Sequence, residues 1–332
     1  MKACILTNYG SPDYLGLRDV VKPVPQDNDV LIKVYATSIN SWDWEILNGK
    51  PFINRLMVGL RKPTKITILG CDIAGRIEAV GKNVTQFKPG DEVFGDISRC
   101  GWGGFAEYVC VPANKNALAL KPASLTFEQA AAVPQAGVLA LQGLRQGKID
   151  QARKVLINGA SGGVGSFAVP MAKSYGAEVT GVCSTKKVDF ARSLGADHVI
   201  DYTQEDFTRN GKQYDLILDV QGHHPVFDYK RALSPKGIYV MVGGASALIF
   251  QVLFLGSLVS ITSSKKMGLL LHKPSASDLD VMTTLFEAGT VTPVIDKCYP
   301  LSKVAEAIRY YGEGNAKGKV VITLEPYDNT LV

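Results

Sequence analysis

The 332-residue sequence lacks several of the features that settle a functional class at a glance. It has no basic run and no basic residues interleaved with aromatics. Its 36 Lys and Arg and 31 Asp and Glu, net +5, are dispersed along the chain, which leaves nucleic-acid binding without an electrostatic footprint. The six cysteines, at 4, 71, 100, 110, 183 and 298, share no disulfide-like or metal-like spacing and read as reduced thiols in a cytosol-like compartment. No signal-peptide pattern opens the chain, since MKACILTNYG starts directly as strand-like sequence, so the expected location is cytoplasmic. No repeat or low-complexity linker interrupts it. One apolar stretch, 247–261, is broken by Gln251, Gly256, Ser257 and Ser260 and falls short of the roughly 20 residues a membrane span requires. It reads as a buried helix, a substrate-pocket wall or a homodimer contact, with a weak peripheral membrane contact as the alternative.

Against these absences stands one informative segment. KVLINGASGGVGSFAV, 154–169, is an apolar run that breaks into a glycine turn and resumes as small, helix-compatible sequence. Glycines 159, 162, 163 and 165 let the chain turn sharply, approach a pyrophosphate with no Cβ in the way and pack the next helix close to the strand. The helix N-terminus then offers unpaired N–H groups and a positive dipole end to phosphate. The strand before and the helix after make the pattern specific.

The chain also divides by rhythm, and its length favours two domains. Up to about 120, short β-like runs (1–6, 30–35, 75–80, 105–111) alternate with Pro-, Gly- and Asn-rich turns, which predicts a barrel-like β domain. From about 124 a helix over 126–147, bent or broken at Pro134, leads into alternating strands (154–158, 178–183, 198–200, 215–220, 237–242) and helices. That alternation predicts a parallel, doubly wound sheet. The tail predicts helices at 277–288 and 302–311, an extended run at 291–296 and a strand at 319–324. Pro170 falls inside the helix after the glycine turn and should kink or shorten it. His223 and His224, before Pro225, read as a turn and surface pair.

The end of the second strand of the alternating region bears on the cofactor. A carboxylate there favours NAD, whereas cations favour the 2′-phosphate of NADP. Here the strand ends Val182-Cys183-Ser184-Thr185-Lys186-Lys187, with no acid until Asp189. The lysines could simply sit on a solvated helix face, but behind a phosphate turn they point to NADPH.

GASGGVG, LGADHVIDY at 194–202, GCDIAG at 70–75 with Val80-Gly81, and FKPGDEV at 87–93 together resemble the medium-chain dehydrogenase/reductase superfamily over nearly the whole chain. More narrowly, the sequence is similar to the zinc-free quinone oxidoreductase branch, including chloroplast-envelope-type quinone oxidoreductases and reticulon-interacting mitochondrial reductases. The resemblance implies a GroES-like β-barrel catalytic domain over 1–123, a Rossmann NADP-binding domain over 124–270 and a return to the catalytic domain over 271–332. It places Asn40, Cys71 with Asp72, and Gln135 where zinc-dependent relatives hold their catalytic metal. A catalytic zinc wants three good N or S ligands, and the amide oxygens of Asn40 and Gln135 are poor substitutes. The cysteine-rich structural zinc lobe is reduced to Cys100 and Cys110, so no metal is expected.

Without a Lewis acid, the chemistry the resemblance implies is hydride delivery from NADPH to an acceptor that delocalises its own charge, a quinone or an α,β-unsaturated carbonyl. The proton could come from water or the nicotinamide ribose. Asn40 matches a residue near the nicotinamide in relatives and is assigned an orienting role; read locally, it is equally a turn residue. Ser161, Gly162, Gly163 and Val164 match the pyrophosphate cradle, and Ser184, Lys187 and Tyr202 the 2′-phosphate site. Gly222 matches the adenosine site, Val242 and Gly243 a strand end beside the nicotinamide, and Gly318 and Lys319 a segment that returns toward the cofactor. Two departures, Glu45 for a pocket Tyr and Leu139 for a Thr, leave the substrate open. Trp42 and Trp44 read as core fillers or as walls for a flat acceptor, and Asp43 as a residue that orients its loop by hydrogen bonding. The alternatives are a dinucleotide-sensing interaction protein without turnover and, less favoured, a zinc-type alcohol dehydrogenase.

Overall fold

The computed structural model describes residues 1–115 and 117–324. The chain forms two units: Met1–Val138 with Pro274–Glu287 and Pro293 onward, and Leu139–Lys273 with Ala288–Thr292. The first boundary therefore lies beyond the 123/124 junction expected from the rhythm. The physical reason is the helix that follows Thr126. Phe127 stacks on Tyr35 of the first unit, with centroids 4.4 Å apart and planes 17° from parallel, so its burial is supplied by the β domain.

The first unit opens with an antiparallel pair, β1 (Lys2–Leu6) and β2 (Leu15–Asp19). The long strand β3 (Asp29–Ser38) follows, rich in the β-branched and aliphatic residues that suit a pleated, buried surface. Two short helices, α1 (Ser41–Asn48) and α2 (Phe52–Val58), precede β4 (Asp72–Val80), β5 (Glu92–Asp96), β6 (Tyr108–Pro112) and β7 (Leu118–Leu120). The helix expected over 126–147 is two helices, α3 (Phe127–Ala131) and α4 (Pro134–Gln146). They separate where Pro134 removes a backbone donor and restricts the residue before it.

The second unit is a six-stranded sheet of β8 (Lys154–Asn158), β9 (Glu178–Cys183), β10 (His198–Asp201), β11 (Tyr214–Asp219), β12 (Leu233–Met241) and β13 (Lys266–Leu269). Every neighbouring pair is parallel, in the order β10-β9-β8-β11-β12-β13. Renumbered within the unit this is 3-2-1-4-5-6, the doubly wound order of dinucleotide-binding sheets. Helix α5 (Gly163–Ser174) runs without a break across Pro170, so the expected shortening does not occur. Helices α6 (Val188–Ser193) and α7 (Val226–Ala232) follow. The apolar stretch 247–261 lies in α8 (Ser246–Gln251), a π-helical turn over Val252–Gly256 and α9 (Ser257–Thr262). One side of it, with Leu248, Val252 and Val259, is buried, whereas Phe250, Phe254 and Ile261 are exposed. No helix among the described residues is long and apolar enough to cross a membrane.

The tail supplies α10 (Ala276–Glu287), β14 (Ile295–Pro300), α11 (Val304–Gly312) and β15 (Lys319–Thr323). Strand β15 pairs antiparallel with β3 and parallel with β14, completing a sheet ordered β14-β15-β3-β4-β5-β7, with β6 on the other stretch of β3. The extended run expected at 291–296 is thus a strand that begins later, at Ile295. The amphipathic helix α11 buries Val304, Ala307 and Ile308 against Leu47, Leu69 and Ile322 in a common core. Strand β15 is therefore held in the β domain by its strand partners and by this core.

Candidate active site

Within the second unit, the expected cofactor residues converge on one edge of the sheet. Strand β8 ends at Asn158, and the chain turns through Gly159, whose φ of +89° lies in the left-handed region that glycine adopts freely. The N–H groups of Gly159 and Ala160 both donate to the Val182 carbonyl, each at 3.1 Å, which ties the turn to β9. Gly162 caps α5 in extended conformation, and the first bond of the helix runs from the Ser166 N–H to the Gly162 carbonyl at 2.9 Å. The preceding N–H groups of the helix start have no intrahelical acceptor. A Cβ on Gly165 would lie 2.3 Å from the Gly159 carbonyl oxygen, whereas one on Gly162 would meet only that oxygen, at 3.6 Å. The two glycines therefore serve different ends: Gly165 permits contact between helix and turn, and Gly162 leaves the outer face open. Gly162, Gly163 and Val164 are half-buried, and Ser161 is buried.

The neighbouring strand ends complete this edge. Ser184 caps and Lys187 ends a single 3-10 turn after β9, with the Lys187 N–H bonded to the Ser184 carbonyl at 2.9 Å. Tyr202 follows β10, its N–H bonded to the Cys183 carbonyl at 3.1 Å and its side chain exposed. Asp201, between them, is an acid that the sequence reading did not weigh. Hydrogen bonds from Thr185 and Thr203 hold its carboxyl below the ordinary range. After β11, Gly222 is bridged to Gly244, and the Val242 and Gly243 N–H groups both donate to the Asp219 carbonyl, at 2.7 and 3.2 Å. Beneath them, the buried Asp219 carboxylate accepts from the Tyr239 hydroxyl at 2.7 Å and the Asn158 amide at 2.8 Å. Burial raises its pKa, opposed by those bonds. This brace, also missed, fixes the relative heights of β8, β11 and β12 at the edge where Ser161–Val164, Gly222, Val242 and Gly243 lie.

The first unit contains a second constellation, entirely buried. Asn40 precedes α1, and its N–H is accepted by Asp43 Oδ2 at 2.8 Å, while Asp43 Oδ1 accepts the Gly70 N–H at 2.8 Å. Asp43 thus orients the loop, as expected of it. Burial pushes its carboxyl up to about 7 despite those two bonds. The Asn40 amide nitrogen donates to Asp72 Oδ2 at 2.9 Å and approaches Cys71 Sγ at 3.4 Å. Asp72 also accepts from Ser38 Oγ at 3.0 Å and from the Gln135 N–H at 2.9 Å. Lys319 enters the same group from β15. Its Nζ lies 2.5 Å from Asn40 Oδ1 and 3.4 Å from Asp72 Oδ2, and its side chain is 2 % exposed. Gly318 before it has φ +80°, and a Cβ there would lie 2.5 Å from the Val294 carbonyl oxygen.

The structure thus brings Asn40 and Lys319 together, and Ser161–Val164 together with Ser184, Lys187, Tyr202, Gly222, Val242 and Gly243. Nearby, Trp42 lies against Trp102 with centroids 6.3 Å apart and remains partly exposed, while Trp44 packs on the core. Burial raises Glu45 to about 6.

Comparison with known proteins agrees with this architecture. Residues 26–122 match the alcohol dehydrogenase GroES-like domain family, and 194–322 match the zinc-binding dehydrogenase family. The chloroplast envelope quinone oxidoreductase homolog of Arabidopsis thaliana is 35% identical over 97% of this chain and 98% of its own. The chain belongs to the medium-chain dehydrogenase/reductase superfamily, in its quinone oxidoreductase branch. A second relative within that superfamily, the chloroplastic NADPH-dependent alkenal/one oxidoreductase of the same plant, is 33% identical over 97% of this chain and 79% of its own. The quinone oxidoreductase of Coxiella burnetii superposes with a TM-score of 0.86 at 28% identity, covering 98% and 99% of the two chains.

The zinc in one family description can be tested against these residues. The ligand atoms of Cys71, Asp72 and Asp96 lie within 4.8 Å of one another and are buried. An ammonium already sits 3.4 Å from Asp72. Amide N–H groups of Asn40 and Gln135, which are donors, point at Cys71 Sγ at 3.4 and 3.6 Å. The carboxylate of Asp72 is already engaged by Ser38, Asn40 and the Gln135 N–H. This set does not fit zinc.

Proposed function

We propose that this chain is an NADPH-dependent, zinc-independent reductase of quinones or α,β-unsaturated carbonyl compounds. The observation that carries the reading is the buried group of the first unit, where an ammonium and amide donors stand in place of a metal-binding set. Among the described residues the one cluster of metal-ligand types is Cys71, Asp72 and Asp96, and with these donors around it the reading assigns no Lewis acid to an alkoxide and takes an acceptor that spreads its own developing charge. The dinucleotide supplies the hydride when bound.

The residues to hold it are those of the sheet edge. The turn Ser161–Val164 offers backbone N–H groups and a helix start to the pyrophosphate. Ser184 and Lys187, with Tyr202 beside them, offer a hydroxyl and a cation to a 2′-phosphate. The names of the relatives, a quinone oxidoreductase homolog and an NADPH-dependent alkenal/one oxidoreductase, support the same substrate classes. Asn40 is the orienting residue in this reading.

A screen of NADPH oxidation across quinones, enones and saturated ketones tests it, with elemental analysis of the same preparation. Turnover of quinones or enones but not saturated ketones is expected. Oxidation of simple alcohols with stoichiometric zinc would overturn it. The exposed side of the 246–262 segment, with Phe250, Phe254 and Ile261, supports a homodimer as the working assembly. A protomer mass by light scattering would refute that, and sedimentation with anionic vesicles would assign the patch to a membrane surface instead.

A further inference from the structure

The ammonium of Lys319 calls for an account of its own. Burying a charge is costly even after relaxation, and only well-placed partners offset it. Here the side chain is 2 % exposed and its carboxylate partner Asp72 is fully buried. Asn40 bridges the two, with Oδ1 on Nζ and Nδ2 on Asp72 Oδ2. An ammonium has donors only and a carboxylate acceptors only, so the chemistry of the neighbours dictates which end of the amide faces which. A flipped amide would set N–H against ammonium and carbonyl against carboxylate. It would forfeit two charge-assisted hydrogen bonds, the strong class of hydrogen bond. Both Nδ2 hydrogens are directed inward, to Asp72 and to Cys71 Sγ. What Asn40 retains for a ligand is the second lone pair of Oδ1.

We infer that Lys319 is a positioning residue: its buried ammonium is the resident cation of this cluster and, with Asp72, fixes the Asn40 amide so that Asn40 meets its ligand as an acceptor. The inference deepens the proposed function and rests on Asn40 serving in that reaction. It also gives Lys319 a role other than direct cofactor contact. The cation arrives from β15, 247 residues from Asp72 and 279 from Asn40, so the return of the tail to the β domain is what completes the group.

The test uses Lys319→Met, which keeps the reach and removes the charge, and the double variant D72N/K319M, which removes both charges. Three quantities are read: melting temperature, the exchange-protected side-chain amide signal of Asn40 in 15N-Asn-labelled full-length protein, and kcat against KM for NADPH. The expected result for Lys319→Met is a lower melting temperature, a shifted or broadened Asn40 signal and at least a tenfold loss of kcat, with KM for NADPH within twofold. The double variant should recover melting temperature but neither the Asn40 signal nor kcat, and it decides the question if the single variant does not fold. An unchanged Asn40 signal, full recovery of kcat in the double variant, or a tenfold rise in KM at unchanged kcat would overturn the inference. If the wild-type protein turns over no acceptor, the proposed function fails while the amide signal still decides the positioning role.

Discussion

Alanine at Gly162 and alanine at Gly165 should fail in different ways, because the two added methyl groups meet different things. At 165 the new Cβ lies 2.3 Å from the Gly159 carbonyl oxygen and 2.5 Å from the Ala160 carbonyl carbon, all backbone of the turn. Ordinary contact begins near 3.4 Å, so helix and turn must separate by about 1 Å. Overpacking of this kind costs about 1–3 kcal/mol, and the roughly 0.5–1 kcal/mol gained by replacing glycine inside a helix offsets only part of it. At 162 the φ of −86° suits any residue, and the methyl group meets one oxygen at 3.6 Å, so stability should be unchanged within about 0.5 kcal/mol. That methyl group does, however, stand on the open face of the turn. Thermal melts and NADPH titration by nicotinamide fluorescence read the two effects separately. Gly165→Ala should lower the melting temperature by a few degrees and weaken NADPH as well. Gly162→Ala should melt like the wild type yet bind NADPH tenfold or more weakly, a loss of about 1.4 kcal/mol. A fully stable Gly165→Ala would refute the packing argument; wild-type affinity in Gly162→Ala would remove the pyrophosphate from this turn.

Other outcomes follow from the same geometry. Lys187→Glu should weaken NADPH at least tenfold while changing NADH less than twofold, because only the former carries the 2′-phosphate; equal losses in parallel titrations would refute the assignment. Asp219→Ala strands the Tyr239 hydroxyl, at about 1–3 kcal/mol for a buried group without a partner, and leaves the Asn158 amide only the Gln221 carbonyl. It should melt well below Asp219→Asn, which keeps an acceptor in place, and equal melting of the two would sink the brace. Asp43 imposes a pH dependence. Its folded pKa of about 7 lies above the ordinary 3.8, so between those values the folded state holds a proton that the unfolded chain releases. Its contribution is complete below about 4 and is lost as pH rises toward 7, at about 1.4 kcal/mol per unit. The gap in melting temperature between wild type and Asp43→Asn should therefore move against the wild type from pH 5 to 7.5; a constant gap would contradict it.

What the sequence discloses and what it conceals divide along physical lines. Strand β8 has an apolar centre, Val155-Leu156-Ile157, and β9 is a short run rich in β-branched residues, each between turn residues, and the glycine turn is a local pattern, so their extents are readable within a few residues. Strand β12 is not, because it begins at Leu233 and skips in register from Leu233 to Ile238 against β11. The intervening Ser-Pro-Lys-Gly reads as a turn, and Lys236 has φ +67°, but the flanking pairs keep it within the strand. Pro170 misleads in the opposite sense, since its rule concerns a local hydrogen bond, whereas α5 is held by packing of Phe167, Val169 and Met171 in the interior.

The candidate site shows the same division more sharply. Asp72 sits in Cys71-Asp72-Ile73-Ala74, an acid inside an apolar strand, and a charge so placed must be paired or neutralised. That half of the buried pair is a sequence signal, legible though not used. Lys319, in Lys317-Gly318-Lys319, is singled out only by the family resemblance, as part of a segment near the cofactor, and nothing in its local sequence signals burial beside an acid. Only the antiparallel pairing of β15 with β3, which sets Val321 opposite Ser38, carries its ammonium to the carboxylate. A buried acid therefore announces that a cation is required, and the topology decides which cation it is. In this chain that cation is a lysine from the tail, 3.4 Å from the Asp72 carboxylate, a residue that no metal-ligand spacing would select.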